Sequence, residues 1–332
     1  MASTSPYAEA HKNTKGAGDA RPTALQIIKD NGRENNMKDK VFLVTGTSSG
    51  LGIPTVEALA ATGGKVYCAA RDEKKNRGVL KDILQPGRVE HITMDLGSLE
   101  SVRAGAKDFL SKESKLNVLV CNAGVTATPY GKTVDGFETQ FGTNHLGHFL
   151  LFEMVKDVLL AGSTPDFNSR VVCVSSSGHR GAPVQFGDYN WETAEYSPWG
   201  GYGQAKTSNI YMANEIERRY GSEGIHGFSL MPGGIMTGLQ IHVPKSMLKT
   251  WDTEEVRNFM KSPEQGAATQ VWAAVGKVWE GKGAKYLEDC AEAGSVDEGT
   301  NVPGGPGYAK WAFNEEGEKR LWEDSMKTVG LA

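Results

Sequence analysis

The feature that most constrains the fold is a regular alternation of short apolar runs with segments of helical periodicity from residue 40 onward. The apolar runs are β-branched and nearly continuous, as strands covered on both faces should be. They occupy residues 40–46, 64–70, 89–96, 117–124, 170–177, 224–234 and 283–290. The alternation predicts an α/β class: one doubly wound parallel sheet of about seven strands with helices on both faces.

Composition and charge exclude several kinds of protein. The 332 residues are 39% hydrophobic and 23% charged with a net charge of −4, which argues against a nucleic-acid partner. No apolar run approaches the roughly 20 residues that cross a bilayer, and residues 1–36 lack the apolar core of a signal peptide. The four cysteines lack metal-ligand spacing. We therefore expect a cytoplasmic protein without a transmembrane segment or a metal site.

The chain is predicted to contain one domain behind an N-terminal extension. Residues 1–36 are expected to be partly disordered because they begin polar and rich in Gly, Ala and Lys, with a short helix opened by Pro22. Residues 37–332 form the predicted domain. This domain includes a lid at 238–262 and a C-terminal tail at 291–332.

A glycine-rich turn follows the first predicted strand. The sequence TGTSSGLG, residues 45–52, runs from that strand into a helix. Small residues there let the backbone approach a pyrophosphate, and the helix N-terminus favours its charge. The expected contacts come from Gly46, Ser48, Ser49, Gly50, Leu51 and Gly52. A tight turn without a ligand is the alternative, but the strand and helix context favours a dinucleotide.

The end of the second strand bears on the choice of nucleotide. An NAD site usually has an acidic residue here for the ribose hydroxyls, whereas this chain has Arg71. A guanidinium pairs with a 2′-phosphate, so NADP(H) is predicted over NAD(H). In the alternative, Asp72 binds the ribose. Asp95 and Leu96 would flank the adenine of the cofactor. Asn122, Ala123 and Gly124, which close the fourth strand, would lie over the cofactor.

As a set, these motifs resemble the short-chain dehydrogenase/reductase family. TGTSSGLG, CNAG, a serine after strand five, YGQAK and MPGGIMT occur in the family's order over about residues 38–290. FGTNHLGHFLL, VSSSGH and YGQAKTSN are most similar to the retinol dehydrogenase and WW-domain oxidoreductase branch. The closing LWEDSMKTVGLA also resembles protochlorophyllide reductases, although Gly234 stands where those carry a cysteine. The resemblance implies a Rossmann fold.

The resemblance also implies the catalytic residues. Tyr202 would donate or accept the proton, and Lys206, one helical turn away, would stabilise its phenolate and hold the nicotinamide ribose. Ser176 is the best match for the residue that orients the reacting oxygen, with Ser177 second; Ser175 is the third serine there. Asn144 matches an asparagine that bends a helix around a water and links Lys206 to solvent.

A further turn is expected beneath the nicotinamide. Pro232 and Gly233 would force the chain to turn after the sixth strand. The Ile235 backbone would bond the carboxamide, and Thr237 would contact the carboxamide or the phosphates.

Two segments are candidates for the substrate pocket. Residues 184–201 contain five aromatic residues, and residues 239–260 contribute Met247, Leu248, Trp251, Phe259 and Met260. Such a lining favours a bulky lipophilic carbonyl or alcohol, while packing on the core is nearly as good an explanation for individual residues. Beyond the lid a helix is predicted over 262–281, with Ser262 as N-cap, Pro263 at its first position and Gln265 completing a capping box.

The sequence therefore predicts an NADP(H)-dependent oxidoreductase, as a monomer or homodimer. Hydride would pass directly between the nicotinamide and the substrate carbon. Two alternatives stay open: an epimerase, dehydratase or lyase on the same scaffold, and a non-enzymatic NADP(H)-binding sensor. The intact Ser, Tyr, Lys and Asn positions count against the sensor.

Overall fold

A single sheet organises the residues that the computed structural model describes, which are 5–296 and 306–332. Its strands are β1 Val41–Thr45, β2 Lys65–Ala70, β3 Val89–Thr93, β4 Val118–Cys121, β5 Ser169–Val174, β6 Ile225–Met231, β7 Lys285–Glu288 and β8 Ala291–Glu292. Their order is β3-β2-β1-β4-β5-β6-β7-β8. Only the pairing of β7 with β8 is antiparallel among these strands.

The predicted doubly wound parallel sheet is confirmed, with eight strands in place of about seven. The extra strand arises because the chain reverses directly after β7. Asp289 and Cys290 both adopt left-handed backbone angles, with φ of 52° and 53°. This tight turn returns the two residues of β8 along the edge of the sheet.

The strand order creates a crevice in the middle of the sheet. From β1 the chain moves outward to β2 and β3, then crosses back to β4 on the other side of β1. The connections after β1 and β4 therefore leave in opposite directions. Ligands of doubly wound sheets bind at this point, at the carboxyl ends of the strands.

Helices cover both faces of the sheet. They are α1 Ala24–Asp30, α2 Gly52–Ala61, α3 Glu73–Val79, α4 Leu99–Lys112, α5 Thr139–Phe141, α6 Gly147–Gly162, α7 Pro198–Tyr220, α8 Lys245–Thr250, α9 Glu254–Phe259, α10 Pro263–Gly266, α11 Ala268–Val275 and α12 Glu315–Thr328. None of the helices in the described ranges is long and apolar enough to cross a membrane.

Alternating strand residues divide the core into two layers. Phe42 and Val44 of β1 face a cluster formed with α1, α2 and α11. Their neighbours Val41 and Leu43 face a second cluster, formed with α4, α6, α7 and α12. Because side chains alternate along a strand, five residues of β1 serve both layers.

The N-terminal segment has defined contacts, whereas its composition predicted partial disorder. A 3₁₀ turn at Ala8–His11 precedes a loop that ends at Arg21, and Arg21 is only 3% exposed. Helix α1 is capped by Thr23, whose side chain accepts the Gln26 N–H, so the helix begins two residues after Pro22. Long-range hydrogen bonds to residues 258–265 hold the loop, and such bonds leave no trace in composition.

The helix predicted over 262–281 is interrupted. Its start is confirmed, because Ser262 and Gln265 form the capping box and Pro263 occupies the first turn. The helical path breaks into α10 and α11 and ends at Gly276, which is extended with ψ of 127°. The chain then turns so that Trp279 packs edge-on against Trp272 and Phe228. Part of the predicted C-terminal tail, residues 297–305, lies outside the described residues.

Candidate active site

The turn after β1 forms a cradle of backbone atoms. Gly46 and Gly50 have φ of 73° and 58°, which glycine adopts without strain. A Cβ on Gly46 would lie 2.7 Å from Ala123 Cα, and one on Gly52 would lie 2.2 Å from the Gly46 carbonyl oxygen. Only glycine fits these two positions. The open backbone at the N-terminus of α2 suits the pyrophosphate of a dinucleotide.

Thr45 links the ends of β1 and β4. Its Oγ1 accepts the backbone N–H groups of Asn122 and Ala123, each at 3.0 Å. The Asn122 side chain returns a hydrogen bond to the Thr45 carbonyl at 2.8 Å. The turn CNAG is thereby fixed beside the glycine loop. Ser48 and Leu51 are half-buried in that loop, and Ser49 is exposed.

The structure separates the roles of Arg71 and Asp72. Arg71 follows β2 and is exposed, and none of the described residues forms an ion pair with it. Asp72 caps α3 by accepting the Lys75 N–H at 2.8 Å. Its carboxylate is thus used within the protein, which favours Arg71 as the ribose-side contact. Asp95 is half-buried and accepts the Gly97 N–H at 2.9 Å, and Leu96 is buried after β3.

The turn after β6 lies across the glycine loop. A Cβ on Gly50 would come within 3.6 Å of the Thr237 side chain. Thr237 caps a 3₁₀ helix, Gly238–His242, in a capping box with Gln240. Ile235 is buried, and its side chain packs near Leu51. Residues 235–237 and the loop of residues 46–52 therefore form opposite walls of one crevice.

Tyr202 is buried at the opposite end of this crevice, in α7. Only 6% of its surface is exposed, and this burial raises its pKa. Hydrogen bonds from the side chains of Ser176 and Thr126 lower the pKa in part. The phenol is therefore protonated at neutral pH in the ligand-free protein, and a further positive charge is needed to ionise it.

The structure distinguishes the three serines that follow β5. Ser176 Oγ accepts the Gly178 N–H at 3.0 Å, and a Cβ on Gly178 would lie 3.4 Å from this oxygen and 2.7 Å from the Tyr202 ring, so the two side chains lie beside each other. Ser175 points away and donates to the Lys206 carbonyl at 2.8 Å. Ser177 begins the 3₁₀ turn Ser177–Gly181. Of the three, Ser176 is thus the one placed to orient an oxygen beside the tyrosine.

Lys206 lies beneath the ring of Tyr202, with its Nζ 5.7 Å from the ring centroid. The ammonium donates to the Val174 carbonyl at 2.9 Å and is 4% exposed. Burial lowers its pKa to about 8. The lysine therefore supplies a positive charge close to the phenol at neutral pH, although the protein holds that charge at a cost.

Asn144 lies in a π-helical turn, Gly142–Leu146, between α5 and α6. Its side chain pairs with the backbone of Val125, accepting the N–H at 2.8 Å and donating to the carbonyl at 2.9 Å. A Cβ on Gly124 would lie 3.2 Å from Asn144 Oδ1 and 3.5 Å from Lys206 Nζ. Asn144 and Lys206 thus meet at the turn after β4.

Two buried histidines form hydrogen bonds with residues of the candidate site. His148 Nδ1 bonds the Asn144 carbonyl at 2.9 Å, and its Nε2 bonds Thr45 Oγ1 at 2.8 Å. His179 Nε2 accepts the Ala309 N–H at 3.0 Å. Its proton must therefore sit on Nδ1, which donates to the Ser176 carbonyl at 2.5 Å. Burial lowers both pKa values to about 4, so both rings are neutral.

The predicted turn at Pro232 and Gly233 is held by the buried side chain of Lys261. Gly233 has φ of 111°. Lys261 Nζ donates to the Pro232 carbonyl at 3.1 Å and pairs with Asp289 at 2.5 Å. Lys261 is 4% exposed, whereas the Asp289 side chain is 36% exposed, so the ion pair is shielded from solvent on the lysine side alone.

The aromatic residues of segment 184–201 divide into two groups. Tyr189 stacks on Phe141 with 5.0 Å between centroids, and Tyr196 bonds Gln140. These belong to the packing of the domain. Trp199 instead lies 6.0 Å from Tyr202 and 6.4 Å from Trp251 of the predicted lid, edge to face in both cases. The half-exposed predicted lid and Tyr202 are connected through this ring.

Several contributing residues were missed from the sequence. Thr126 contacts the phenol, and Asn76 accepts the Thr47 hydroxyl at 2.9 Å beneath the glycine loop. Lys261 was overlooked because its partners are 28 and 29 residues away. Polar residues after a strand were the available signal for Thr126. Among the described residues, no cluster of His, Cys, Asp or Glu suits a metal ion.

A nucleotide-type backbone cradle together with the half-buried Ser176 and the buried Tyr202 and Lys206 defines a dinucleotide-dependent oxidoreductase of the Rossmann class. The family model described as short chain dehydrogenase matches residues 40–247. The chain therefore belongs to the short-chain dehydrogenase/reductase family, in its retinol dehydrogenase-like branch.

Individual relatives agree with this assignment. The chain is 57% identical to "Short-chain dehydrogenase/reductase prx1" of Penicillium roqueforti, covering 98% of this chain and 95% of that protein. Human "Retinol dehydrogenase 13" is 33% identical, over 88% of this chain and 85% of that one. A crystal structure of an uncharacterized protein from Mycobacterium paratuberculosis matches with a TM-score of 0.68 and 29% identity, covering 94% and 98% of the two chains.

Proposed function

We propose that this protein interconverts a carbonyl and an alcohol on a bulky lipophilic substrate, using NADP(H) and Tyr202 as general acid/base. The observation that carries the proposal is the grouping of Ser176, the buried Tyr202 ring and Lys206. A Cβ on Gly178 would lie 2.7 Å from the Tyr202 ring and 3.4 Å from Ser176 Oγ, and Lys206 Nζ lies 5.7 Å from the ring centroid. When bound, NADP(H) supplies or accepts the hydride. The remaining chemistry is proton transfer and orientation by the protein.

The proposed binding of NADP(H) rests on the cradle and on charge. Gly46, Gly50 and Gly52 would hold the pyrophosphate, with Ser48, Ser49 and Leu51 around it. Arg71 is exposed where a 2′-phosphate would lie, and its fork of donors suits a phosphate. Asp95, Leu96, Asn122, Ala123 and Gly124 would line the adenine side. Pro232, Gly233, Ile235 and Thr237 would line the nicotinamide side.

In carbonyl reduction, Ser176 would donate a hydrogen bond to the substrate oxygen and Tyr202 would deliver the proton. Tyr202 is buried and Ser176 is half-buried, which limits the competition of water for the oxygen. The Lys206 charge favours the phenolate that remains after transfer. Asn144 would hold the turn after β4 and position a water that links Lys206 to solvent. The proton would move in the opposite direction when an alcohol is oxidised.

The lipophilic substrate is proposed from the wall above Tyr202. Trp199 and Trp251 present aromatic surface there, and Met247 and Leu248 of α8 are half-buried. Apolar walls with two convergent hydroxyls suit a large substrate with one polar reacting group.

Tyr202→Phe tests the proposal. We expect kcat to fall roughly 1,000-fold because general acid catalysis is lost, while the Kd for NADPH stays within about two-fold. The assay is loss of NADPH absorbance against a panel of lipophilic ketones, aldehydes and quinones, repeated with NADH. The matched control is Tyr211→Phe, in the same helix, which removes a hydroxyl that donates to the Trp311 carbonyl at 2.8 Å. Full activity of Tyr202→Phe would contradict the assignment, and NADPH binding without turnover on any carbonyl would favour the isomerase or lyase alternative.

A further inference from the structure

Arg21 is a buried cation in the N-terminal segment, outside the dehydrogenase family match. Only 3% of the residue is exposed. Isolated buried arginines are rare because removing a guanidinium from water is costly. The partners that compensate for this cost show what the residue holds.

Arg21 joins the N-terminal segment to the end of the predicted lid. Its Nη1 donates to the Phe259 carbonyl at 2.8 Å, and its Nη2 donates to the Met260 carbonyl at 2.7 Å. These carbonyls lie at the C-terminus of α9, where a cation is favourable. The same side chain bonds Gly16 at 3.0 Å and Asp19 at 2.8 Å.

Gln265 completes the junction from the other side. Its Nε2 donates to the Asp19 side chain at 3.0 Å and to the Asp19 and Arg21 carbonyls, each at 3.1 Å. Its Oε1 accepts the Gly18 N–H at 2.9 Å in addition to closing the capping box. The Gly16 N–H donates to Asn258 at 3.0 Å. We call residues 16–21 the clamp.

The residues held by the clamp set the turn after β6. The Lys261 N–H donates to the Gly234 carbonyl at 2.8 Å, and Lys261 Nζ holds Pro232. A Cβ on Gly234 would lie 2.7 Å from the Phe259 ring and 2.8 Å from Met260 Sδ. The position of residues 232–234 therefore depends on residues 259–261. The carbonyls of two of these residues are the ones that Arg21 binds.

We propose that Arg21 is a positioning residue: the clamp fixes the C-terminal end of the lid and, through Phe259 and Met260, the turn that contacts the nicotinamide. The last step rests on the proposed function. Arg21 is not one of the proposed catalytic residues. The four residues that its side chain binds all lie within 16–19 or 259–260. It therefore acts on this end of the lid and not on the sheet.

The chain offers a matched control in Arg33. This arginine also belongs to the N-terminal segment and also binds a carbonyl at a helix end, that of Val275 at the end of α11, at 3.0 Å. It pairs with Glu280 at 3.5 Å, on the core and away from the lid. Arg33→Ala thus removes a comparable contact without touching the clamp.

The test compares Arg21→Ala, Arg21→Lys and Arg33→Ala by hydrogen exchange of the ligand-free protein and by NADPH affinity. Arg21→Ala should raise amide exchange about ten-fold or more in residues 256–262, with exchange in β4 unchanged. The Kd for NADPH should rise about ten-fold. Arg21→Lys should be intermediate, since one ammonium cannot reproduce the guanidinium fork. Arg33→Ala should leave both readouts within about two-fold of wild type while lowering Tm.

Two results would overturn the proposal. One is unchanged exchange at residues 256–262 in Arg21→Ala. The other is a rise in amide exchange that is not specific to the lid. Such a rise would be as large at residues 256–262 in Arg33→Ala, or as large across the whole sheet in Arg21→Ala, and would show a role in global stability only. Absence of NADP(H) binding by the wild-type protein would instead contradict the proposed function, because the exchange comparison needs no ligand.

Discussion

The two halves of the crevice are built in different ways. The nucleotide half, residues 41–124, is shaped by backbone atoms: glycines that exclude a Cβ and a threonine that ties together the ends of β1 and β4. The reaction half, residues 169–289, is held by side chains whose partners lie far along the chain. His179 is 130 residues from Ala309, and Arg21 is 238 residues from Phe259. Substitutions should therefore act through sterics in the first half and through lost hydrogen bonds and charges in the second.

The largest effect on NADPH affinity is expected at Gly52. In Gly52→Ala the new Cβ would lie 2.2 Å from the Gly46 carbonyl oxygen, so the loop must move. We expect NADPH affinity to fall at least about 100-fold, or roughly 3 kcal/mol, measured by fluorescence titration. The control is Gly78→Ala in α3, where a Cβ meets nothing within 4 Å. That variant should bind normally and gain about 0.5 kcal/mol of stability. Equal NADPH affinity of the two variants would contradict the steric explanation.

Replacing Lys206 should lower activity and raise stability. Its pKa is lowered from 10.5 to about 8 by burial, so below pH 8 the folded state holds a charge that the unfolded state holds more easily. Between pH 8 and 10.5 the unfolded state binds more protons, and wild-type stability should rise with pH. Lys206→Met should abolish turnover yet raise the free energy of unfolding by about 2 kcal/mol at pH 7.

Urea denaturation at pH 7 and well above pH 10.5 checks this prediction. The gain from Lys206→Met should shrink at the higher pH, because the wild-type lysine is then neutral in both states. The Val174 carbonyl keeps the Asn209 side chain as a donor at 3.1 Å, so the variant leaves no unpaired acceptor there. A loss of stability at pH 7 would refute the argument.

A smaller effect is expected at His179, which positions Ser176 without touching the substrate. His179→Phe removes the donor to the Ser176 carbonyl and should lower kcat about ten-fold with NADPH affinity unchanged. His179→Asn keeps a donor near the position of Nδ1 and should recover most of kcat. Steady-state kinetics of the two variants separate these outcomes. Equal kcat values would show that the ring serves packing alone.

The difference between the halves also explains what the sequence could predict. The glycine motif, the alternation of strands and helices and the Ser262 capping box are each encoded by residues within a few positions of one another, and periodicity or motif spacing detects them. The choice among Ser175, Ser176 and Ser177 needed the structure, because strand twist and turn geometry decide which hydroxyl reaches Tyr202.

Long-range contacts account for most of what the sequence missed. Nothing near Arg21 indicates burial, and its partners become visible only when residues 259–260 are folded beside it. The end of α11 at Gly276 has the same origin. Local helix propensity continues past Gly276, but burial of Trp279 against Trp272 and Phe228 ends the helix.

The clamp has a consequence for the order of events during biosynthesis. Arg21 leaves the ribosome 238 residues before Phe259, its partner. At roughly 5–20 residues per second, the N-terminal segment waits on the order of 10–50 seconds for the carbonyls it binds. All residues of β1 to β6 are synthesised in that time. The N-terminal segment, although made first, is therefore among the last parts of the chain to form its native contacts.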